Sequence, residues 1–295
     1  MRIAILCDYP IFLLPGVSLE RSHSAHYATW LPQLAVAFEE HTPRIQFHWI
    51  TLSEFVKEPL NVRYVDQVFH ILPKCASGRL KRFYADDLGN IRSTLDTINP
   101  SLVHGWGSED VYALAACQSP FRSLVSMQGI LHHYILKNRF PLRVYLQALL
   151  ELYVLRKADS LTVESKWGKR QLSKITRSKR IHLVEYGTHP LWHKTPWQPN
   201  SQTPSAIFIG SIHPRKGVRD LIQAFHSPNL RNAELWMVGD GNPTYVNQLK
   251  GEASQNVKWL GRKTPDESAD LMKQAWCLVL PTRADTSPNV VKEAR

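Results

Sequence analysis

Short apolar runs alternate with helical patterns along most of the chain. Runs rich in Ile, Val, Leu and Phe predict buried strands, and apolar residues spaced three and four apart predict amphipathic helices. The clearest helical patterns are at 25–39 and 142–157. The predicted strands are 2–7, 46–51, 67–72, 102–104, 123–127, 160–163, 181–184, 206–209, 234–238, 257–260 and 277–280. This alternation predicts an α/β fold, in which parallel sheets carry helices on both faces.

The alternation is interrupted by one segment that is rich in proline. Residues 188–205 contain four prolines and little periodicity, which predicts a linker. The simplest interpretation is two Rossmann-like domains, at 1–188 and 189–295. The second alternation is shorter than the first and stops within a predicted helix. We therefore expect the second domain to be incomplete in this chain.

Positive charge is concentrated in one part of the chain. The formal net charge is +11, and between residues 137 and 180 twelve Lys or Arg stand against three Asp or Glu. A local excess of this size favours an anionic partner, either a membrane surface or a phosphate-bearing acceptor. A solvated basic face is the alternative. We expect no nucleic-acid binding, because no known reading motif accompanies the charge.

Signals for targeting, membrane insertion and metal binding are not found in the sequence. No apolar run reaches 18 residues, and the N-terminus turns acidic at Asp8, too early for a signal peptide. The cysteines are scattered, with no CxxC pair and no Cys/His cluster at zinc spacing. We expect four buried, unpaired thiols, no metal, and a cytoplasmic protein.

The last predicted strand leads into a segment with two carboxylates. Asp285 lies in the predicted turn, and Ser287 and Pro288 are suited to the N-cap and first position of a helix. Glu293 then falls one to two turns into that helix, on the same side as Asp285. The backbone N–H groups at the start of the helix lie between the two carboxylates and favour an anion there.

A second segment combines a glycine turn with two basic residues. The strand at 206–209 ends at Gly210, and Arg215 and Lys216 follow before an amphipathic helix. Arg binds a phosphate through two parallel hydrogen bonds, and Lys binds it as a point charge. The pair therefore indicates a site for a phosphorylated ligand. A basic first turn on a solvated helix is the alternative interpretation.

Ligands of open α/β sheets bind at the carboxyl ends of the strands. We expect the loops at these ends to face a cleft between the two domains. His104 is either a substrate contact or a hydrogen-bonded structural histidine, and Trp106 either stacks on a sugar or packs. The candidate positions at the strand ends are Gly16, His104, Trp106, Gln128, Gly187, Gly210 and the turn at Gly239, Asp240 and Gly241.

The spaced set of these motifs resembles one known family. Two acidic residues separated by seven others, Asp285 and Glu293, are the mark of the GT-B glycosyltransferases of the retaining family 4 type, also described as glycosyl transferases group 1. The other matching pieces are Phe208-Ile-Gly210 with Arg215-Lys216-Gly217, Leu235-Trp-Met-Val-Gly239-Asp240-Gly241, and Val257-Lys-Trp-Leu260-Gly261. Looser matches in the first half extend the resemblance to most of the chain, through Met1–Leu6, Leu102-Val-His104, 158–163 and 184–187.

The resemblance implies a reaction and a set of roles. The reaction is transfer of a sugar from a nucleoside-diphosphate sugar to a glycan or lipid-linked acceptor, with retention at the anomeric carbon and no cofactor or metal. The leaving phosphate would act as the base. The resemblance implies a catalytic set of Asp285, Gln128 and His104, and a donor-binding set of Gly16, Gly210, Arg215, Lys216, Gly239, Asn289 and Glu293.

Within these sets the resemblance gives some residues specific partners. Asp285 would hold hydroxyls of the sugar, and Glu293 would bind the ribose diol. Arg215 and Lys216 would bind the diphosphate. The setting would be polysaccharide or glycolipid biosynthesis, in the cytoplasm or peripherally on the inner face of an anionic membrane.

Three positions depart from the family pattern. Asp285 stands where the family usually has Glu, Ser211 where many members have a phosphate-binding Arg, and Gln128 where many have His. The change at Ser211 leaves more of the phosphate charge to Arg215 and Lys216. Two other functions stay open: a nucleotide-sugar epimerase of GT-B fold, and an inactive homologue that only binds nucleotide or membrane.

Overall fold

The computed structural model describes residues 1–17, 30–42, 44–75, 78–108, 110–135, 140–176, 180–194, 196–200, 202–283 and 285–295. The chain divides into two compact units, Met1–Tyr186 and Gly187–Arg295. Each unit is built on one sheet, and each is an α/β unit as the sequence predicts.

The first unit contains a sheet of eight strands in its described residues. Their order is β3-β4-β2-β1-β5-β6-β7-β8, and all neighbours are parallel except β3 and β4. The strands are β1 Arg2–Leu6, β2 Gln46–Ser53, β3 Leu60–Tyr64, β4 Gln67–Pro73, β5 Leu102–Trp106, β6 Ser123–Met127, β7 Ser160–Val163 and β8 Arg180–Leu183. The helices are α1 Trp30–His41, α2 Ala85–Ile98, α3 Val111–Gln118, α4 Leu131–Ile135, α5 Leu142–Lys157 and α6 Lys166–Ile175.

Helices cover both faces of this sheet, as predicted. One apolar core includes residues of α1, and the other includes residues of α2, α3, α5 and α6. The predicted helix at 25–39 is α1, although residues 25–29 lie outside the described part of the chain. The strand order changes direction between β1 and β5, and in such sheets this switch point is where ligands bind.

Strand β3 is an element that the sequence analysis missed. It pairs antiparallel with β4 through a two-residue turn in which Val65 and Asp66 both have positive φ, 43° and 51°. Positive φ at both positions is the geometry of a type I′ hairpin turn. The strand is short, lies at the sheet edge and is half exposed, so its sequence shows no apolar run.

The second unit contains a four-stranded parallel sheet in the order β11-β10-β9-β12. The strands are β9 Ser205–Ile209, β10 Glu234–Val238, β11 Val257–Gly261 and β12 Cys277–Leu278. The helices are α7 Pro190–Lys194, α8 Val218–Ala224, α9 Pro243–Glu252, α10 Pro265–Gln274 and α11 Asn289–Glu293. The last strand is shorter than predicted. The expectation of four buried thiols is wrong, since Cys7 is buried, Cys75 and Cys117 are partly exposed, and Cys277 is exposed.

The segment predicted as a linker is structured along part of its length. It contains α7, and its residues 197–200 bond to the C-terminal end of α10 and to the residue after it. The backbone N–H groups of Gln198 and Asn200 donate to the carbonyls of Lys273 (2.9 Å) and Gln274 (3.0 Å). The indole Nε1 of Trp197 donates to Ala275 O at 2.8 Å. These bonds attach the proline-rich segment to the second unit.

Candidate functional site

Three loops meet at the carboxyl edge of the sheet in the second unit, and backbone contacts hold them together. Gly210 N donates to Val238 O at 3.0 Å, and Ile212 N donates to Asp240 O at 2.7 Å. A Cβ on Gly239 would lie 1.9 Å from Gly210 O, and the φ of Gly239 is +133°. Only glycine fits this position, because its conformation and the space around it exclude a side chain.

The loop after β12 is fixed against the turn that carries the basic pair. Arg283 N donates to Arg215 O at 2.9 Å. A Cβ on Gly217 would lie 2.1 Å from Pro281 O, so the glycine after the basic pair is what lets the two segments approach so closely. Pro214–Lys216 form one 3-10 turn, and the ring Nδ1 of its N-cap, His213, accepts from Arg215 N.

This contact brings together two residues that the sequence places 69 positions apart. Lys216 Nζ lies 2.5 Å from Asp285 Oδ2, and the two side chains are only 15% and 17% exposed. The cation expected at the phosphates is therefore paired with the carboxylate expected at the sugar. Removing one member of a pair shielded in this way would leave the other charge without compensation.

Arg215 and Asn289 lie on either side of this pair along the chain. The side chain of Arg215 is exposed at the surface of the turn. Asn289 is the first residue of α11, and its Oδ1 accepts from Lys292 Nζ at 3.4 Å. The helix starts one residue later than predicted, because Pro288 is still extended (ψ 123°), and Ser287 does not cap it.

Glu293 ends α11 on the helix face that also carries Asn289, four residues earlier. Burial raises the pKa of the Glu293 carboxyl, and the nearby Lys292 offsets part of that effect. Among the described residues, no hydrogen bond reaches this carboxylate. A half-buried carboxylate of this kind gains most from a ligand that donates hydroxyl protons to it.

In the first unit, the candidate histidine is held inside the sheet. His104 Nε2 lies 2.7 Å from Ser126 Oγ, which lies 2.6 Å from Thr162 Oγ1, so one chain of hydrogen bonds crosses β5, β6 and β7. Burial lowers the pKa of His104 to about 3, and the imidazole is neutral near pH 7. Trp106 is 6% exposed and lies against Tyr186, with ring centroids 4.9 Å apart. Of its two interpretations, stacking on a sugar or packing, the structure therefore favours packing.

The other two candidates of the first unit lie in loops beyond the strand ends. Gly16 lies in the loop after β1 with φ +76°, and nothing lies within 4 Å of a Cβ built on it. Gln128 directly follows β6 and is half-buried. Both are at the carboxyl edge, which is where the sequence predicted them.

A buried carboxylate that the sequence analysis did not single out connects two loops at this edge. Glu151 of α5 is 0% exposed and accepts from Ser108 Oγ at 2.6 Å. It also accepts from the backbone N–H groups of Leu131 (3.1 Å) and His132 (2.9 Å) at the start of α4. Burial raises the pKa of Glu151 although these bonds oppose the shift. The only signal in the sequence was that Glu151 is the single acid of this helix.

A charged cluster near the end of β1 was also missed. Arg79 donates to Asp87 Oδ2 at 2.5 Å and reaches Asp110 Oδ1 at 3.2 Å. Burial raises the pKa of Asp8, partly offset by Lys74, and Asp110 adds to the increase. The cluster connects the loops after β1, β4 and β5.

The described part of the chain carries neither a metal-binding cluster nor a membrane-spanning helix. No group of three or more His, Cys, Asp or Glu is placed to hold a metal ion there. None of the described helices combines the length and apolarity that crossing a bilayer requires.

Sequence comparisons match the second unit, which carries the contact between Lys216 and Asp285, to a known family. Residues 203–295 match the family model for glycosyl transferases group 1. The chain is 21% identical over 248 residues to an uncharacterized glycosyltransferase, MJ1178, of Methanocaldococcus jannaschii. That alignment covers 82% of this chain and 65% of the relative, so the chain spans just under two thirds of the relative's length.

Solved structures show the same fold at low identity. Sucrose-phosphate synthase from Thermosynechococcus elongatus has a TM-score of 0.76 at 15% identity, over 99% of this chain and 78% of that one. Anabaena HepE in complex with UDP scores 0.68 at 14% identity, over 100% and 78%. WaaG, a glycosyltransferase involved in lipopolysaccharide biosynthesis, scores 0.66 at 15% identity, over 99% and 78%. The predicted GT-B fold is confirmed by these structures, and residues 203–295 match the glycosyl transferases group 1 model.

Proposed function

We propose that this chain, with its glycosyl transferases group 1 domain, transfers a sugar from a nucleoside-diphosphate sugar to a glycan or lipid-linked acceptor, with retention and without a metal ion or cofactor. The observation that carries the proposal is the contact between Lys216 and Asp285 at the carboxyl edge of the second sheet. It brings a cation for phosphate and a carboxylate for sugar hydroxyls within 2.5 Å of each other.

The donor's diphosphate competes with Asp285 for Lys216. As the anomeric C–O bond breaks, negative charge develops on the leaving diphosphate, and a cation placed there beforehand stabilises it. Arg215, exposed on the same turn, adds a second cation. When Lys216 turns to the phosphates, the Asp285 carboxylate becomes able to accept hydrogen bonds from the sugar hydroxyls. The single contact between Lys216 and Asp285 would thus be replaced by two contacts with the donor.

Other residues of the second unit bind the nucleoside part in this proposal. Glu293 accepts hydrogen bonds from both hydroxyls of the ribose, and Asn289 lies on the same helix face. Gly210 and Gly239 keep the loops narrow, so the backbone approaches the donor closely. Glu293 must be ionised to accept hydrogen bonds from both hydroxyls, so its raised pKa makes donor binding sensitive to pH.

The first unit supplies the remaining residues of the proposal. Gly16 gives the donor close access to the loop after β1. Gln128 and neutral His104 orient the reacting groups by hydrogen bonds. Retention, with the leaving phosphate as base, is supported by the family resemblance alone. The proposed location is the cytoplasm, peripherally on an anionic membrane, which the basic excess between residues 137 and 180 supports.

Titration calorimetry with UDP tests the donor site. Lys216→Met should weaken binding by about 10- to 100-fold, because one charge-assisted bond contributes about 1.5–3 kcal/mol. Lys273→Met removes the same charge from a half-exposed position on α10 and should leave binding unchanged. Equal affinities for the two variants would remove Lys216 from the site.

Product analysis tests the reaction itself. UDP-glucose and GDP-mannose, incubated with the protein and a lipid-linked glycan, should yield an elongated glycan whose new linkage keeps the donor's anomeric configuration by NMR. EDTA should not change the rate. An epimerised sugar nucleotide without transfer would support the epimerase alternative, and nucleotide binding without turnover would support the inactive homologue.

A further inference from the structure

The outer face of α5 is apolar although it faces solvent. Five of its large apolar side chains are exposed: Leu142 (75%), Tyr145 (36%), Leu146 (43%), Leu149 (63%) and Tyr153 (37%). Their spacing of three, four and seven positions places them along one face of the helix. Scattered exposed apolar residues are normal in proteins, but a continuous row on one helix marks an interaction surface.

The charges on α5 are divided between its two faces. Its basic residues, Arg143, Arg156 and Lys157, are exposed. Its single acid, Glu151, is fully buried and bonded to Ser108 and to α4. The outer face is therefore apolar and cationic, with no negative charge of its own.

The neighbouring helix α6 extends the positive charge on the same side of the sheet. The strands β6, β7 and β8 are parallel and adjacent, and right-handed crossovers place the helices between them on one face. The exposed side chains of α6 include four basic residues and no acid: Lys166, Lys169, Arg170 and Lys174.

We propose that the outer face of α5 lies in the interface of an anionic phospholipid bilayer. Its leucines reach the boundary of the acyl chains, while Arg and Lys contact the phosphates through long, flexible side chains. The two tyrosines suit the same depth, since each ring is apolar with one polar end. This inference deepens the membrane association in the proposed function, and it does not depend on sugar transfer.

Charge distinguishes the bilayer from a second copy of the chain. Two such faces brought together would place cation against cation with no acid between them, which opposes self-association. An anionic bilayer provides both an apolar layer and negative phosphates. The pattern of the face thus favours lipid.

Vesicle sedimentation with the full chain tests this surface. Leu142→Ser with Leu149→Ser should lower binding to phosphatidylcholine vesicles containing phosphatidylglycerol by about tenfold or more. The matched control is Leu60→Ser with Leu183→Ser, two leucines that are 40% and 43% exposed on other elements of the same unit. The control should bind like the wild type, and thermal melting should show that both variants are folded.

A second pair of variants tests the charges. Arg156→Gln with Lys157→Gln should weaken binding and make it less dependent on salt. The control, Lys57→Gln with Lys81→Gln, removes two exposed charges elsewhere in the unit and should leave vesicle binding unchanged. UDP affinity should be unchanged throughout, which separates this inference from the donor site.

Three outcomes would overturn the inference. Equal binding to vesicles with and without phosphatidylglycerol would exclude the electrostatic part. Undiminished binding of the serine variant would exclude insertion of α5. A wild-type dimer in light scattering that the serine variant converts to monomer would assign the face to a second copy.

Discussion

The carboxyl edges of the two sheets are held together in different ways. In the first unit, side chains make the connections: His104 bonds to Ser126 between strands β5 and β6, and Glu151 bonds to Ser108 and α4 between loops. In the second unit, backbone groups and glycines connect them, as in the contacts of Gly210 with Val238 and of Gly239 with Gly210.

This difference affects what each edge can do. Polar side chains that hold loops together are costly to remove, since their partners stay buried without hydrogen bonds. Where the backbone holds the loops, polar side chains can change partners as a ligand enters. The second edge is therefore suited to an exchange such as the one proposed for Lys216 and Asp285, and the first to groups held in fixed positions.

The largest effect is expected at Glu151. Glu151→Ala leaves one hydroxyl and two backbone N–H groups without an acceptor, and should lower the free energy of unfolding by about 3–5 kcal/mol. Glu151→Gln keeps one oxygen and should cost about half as much. Urea unfolding measures both. If Glu151→Ala lowered the free energy of unfolding by no more than an ordinary surface substitution does, the comparison would fail, because the first edge would not depend on side chains.

Gly239 gives the equivalent test at the second edge. Gly239→Ala adds a Cβ 1.9 Å from Gly210 O at φ +133°, and should destabilise the protein by about 2–3 kcal/mol and abolish UDP binding. Gly251→Ala is the matched control, since this helical glycine has open space around it and alanine should stabilise by about 0.5–1 kcal/mol. Unchanged UDP binding in the Gly239 variant would show that the loop contact is not needed for the site.

The pH dependence of UDP binding at Glu293 sharpens the comparison. Burial raises its pKa, so its carboxylate is lost at a higher pH than that of an exposed glutamate, and UDP affinity should fall early on acidification. Glu293→Gln should weaken UDP binding by about tenfold near pH 7, which corresponds to about 1.4 kcal/mol. Calorimetry from pH 5 to 8, with UDP and its 2′,3′-dideoxy analogue, checks this. A variant that still prefers UDP to the dideoxy analogue would separate Glu293 from the ribose.

The smallest effect is expected at His104. Its pKa in the folded chain, about 3, lies below the usual 6.5. Between these two pH values the unfolded chain therefore binds a proton that the folded chain does not. Stability from this residue is present above pH 6.5 and is lost as pH falls towards 3. His104→Gln should cost about 1 kcal/mol at pH 7, for the bond to Ser126, and should flatten the acid side of the stability profile. An NMR titration showing imidazole protonation near pH 6.5 would contradict the buried, neutral state.

The sequence predicted best the elements whose signal is local. Strands β6 and β10 have the predicted bounds, because each is a short, mostly apolar segment between turn residues. The helix at Leu142–Lys157 also has its predicted bounds. The edge strand β3 gave no such signal, since half of its side chains face solvent and its turn contains Val65 rather than glycine.

The contacts of the candidate residues could not be predicted from the sequence. Family resemblance pointed to Lys216 and Asp285 with separate roles, whereas the structure pairs them. Nothing local in the sequence connects two residues 69 positions apart. The partners of Glu151 are likewise 19 to 43 positions away, and they become neighbours only when β5, β6 and α5 pack together.

The hydrogen bonds of Glu151 and the apolar residues beside it favour the same rotation of α5 about its own axis. Turning the helix by half a revolution would hide Leu142 and Leu149, but it would expose Ala148, Val154 and Leu155 together with the acid. It would also leave the amides of α4 in the interior without an acceptor. The inner face of α5 thus leaves the leucines of the outer face at the surface, where they can meet a partner.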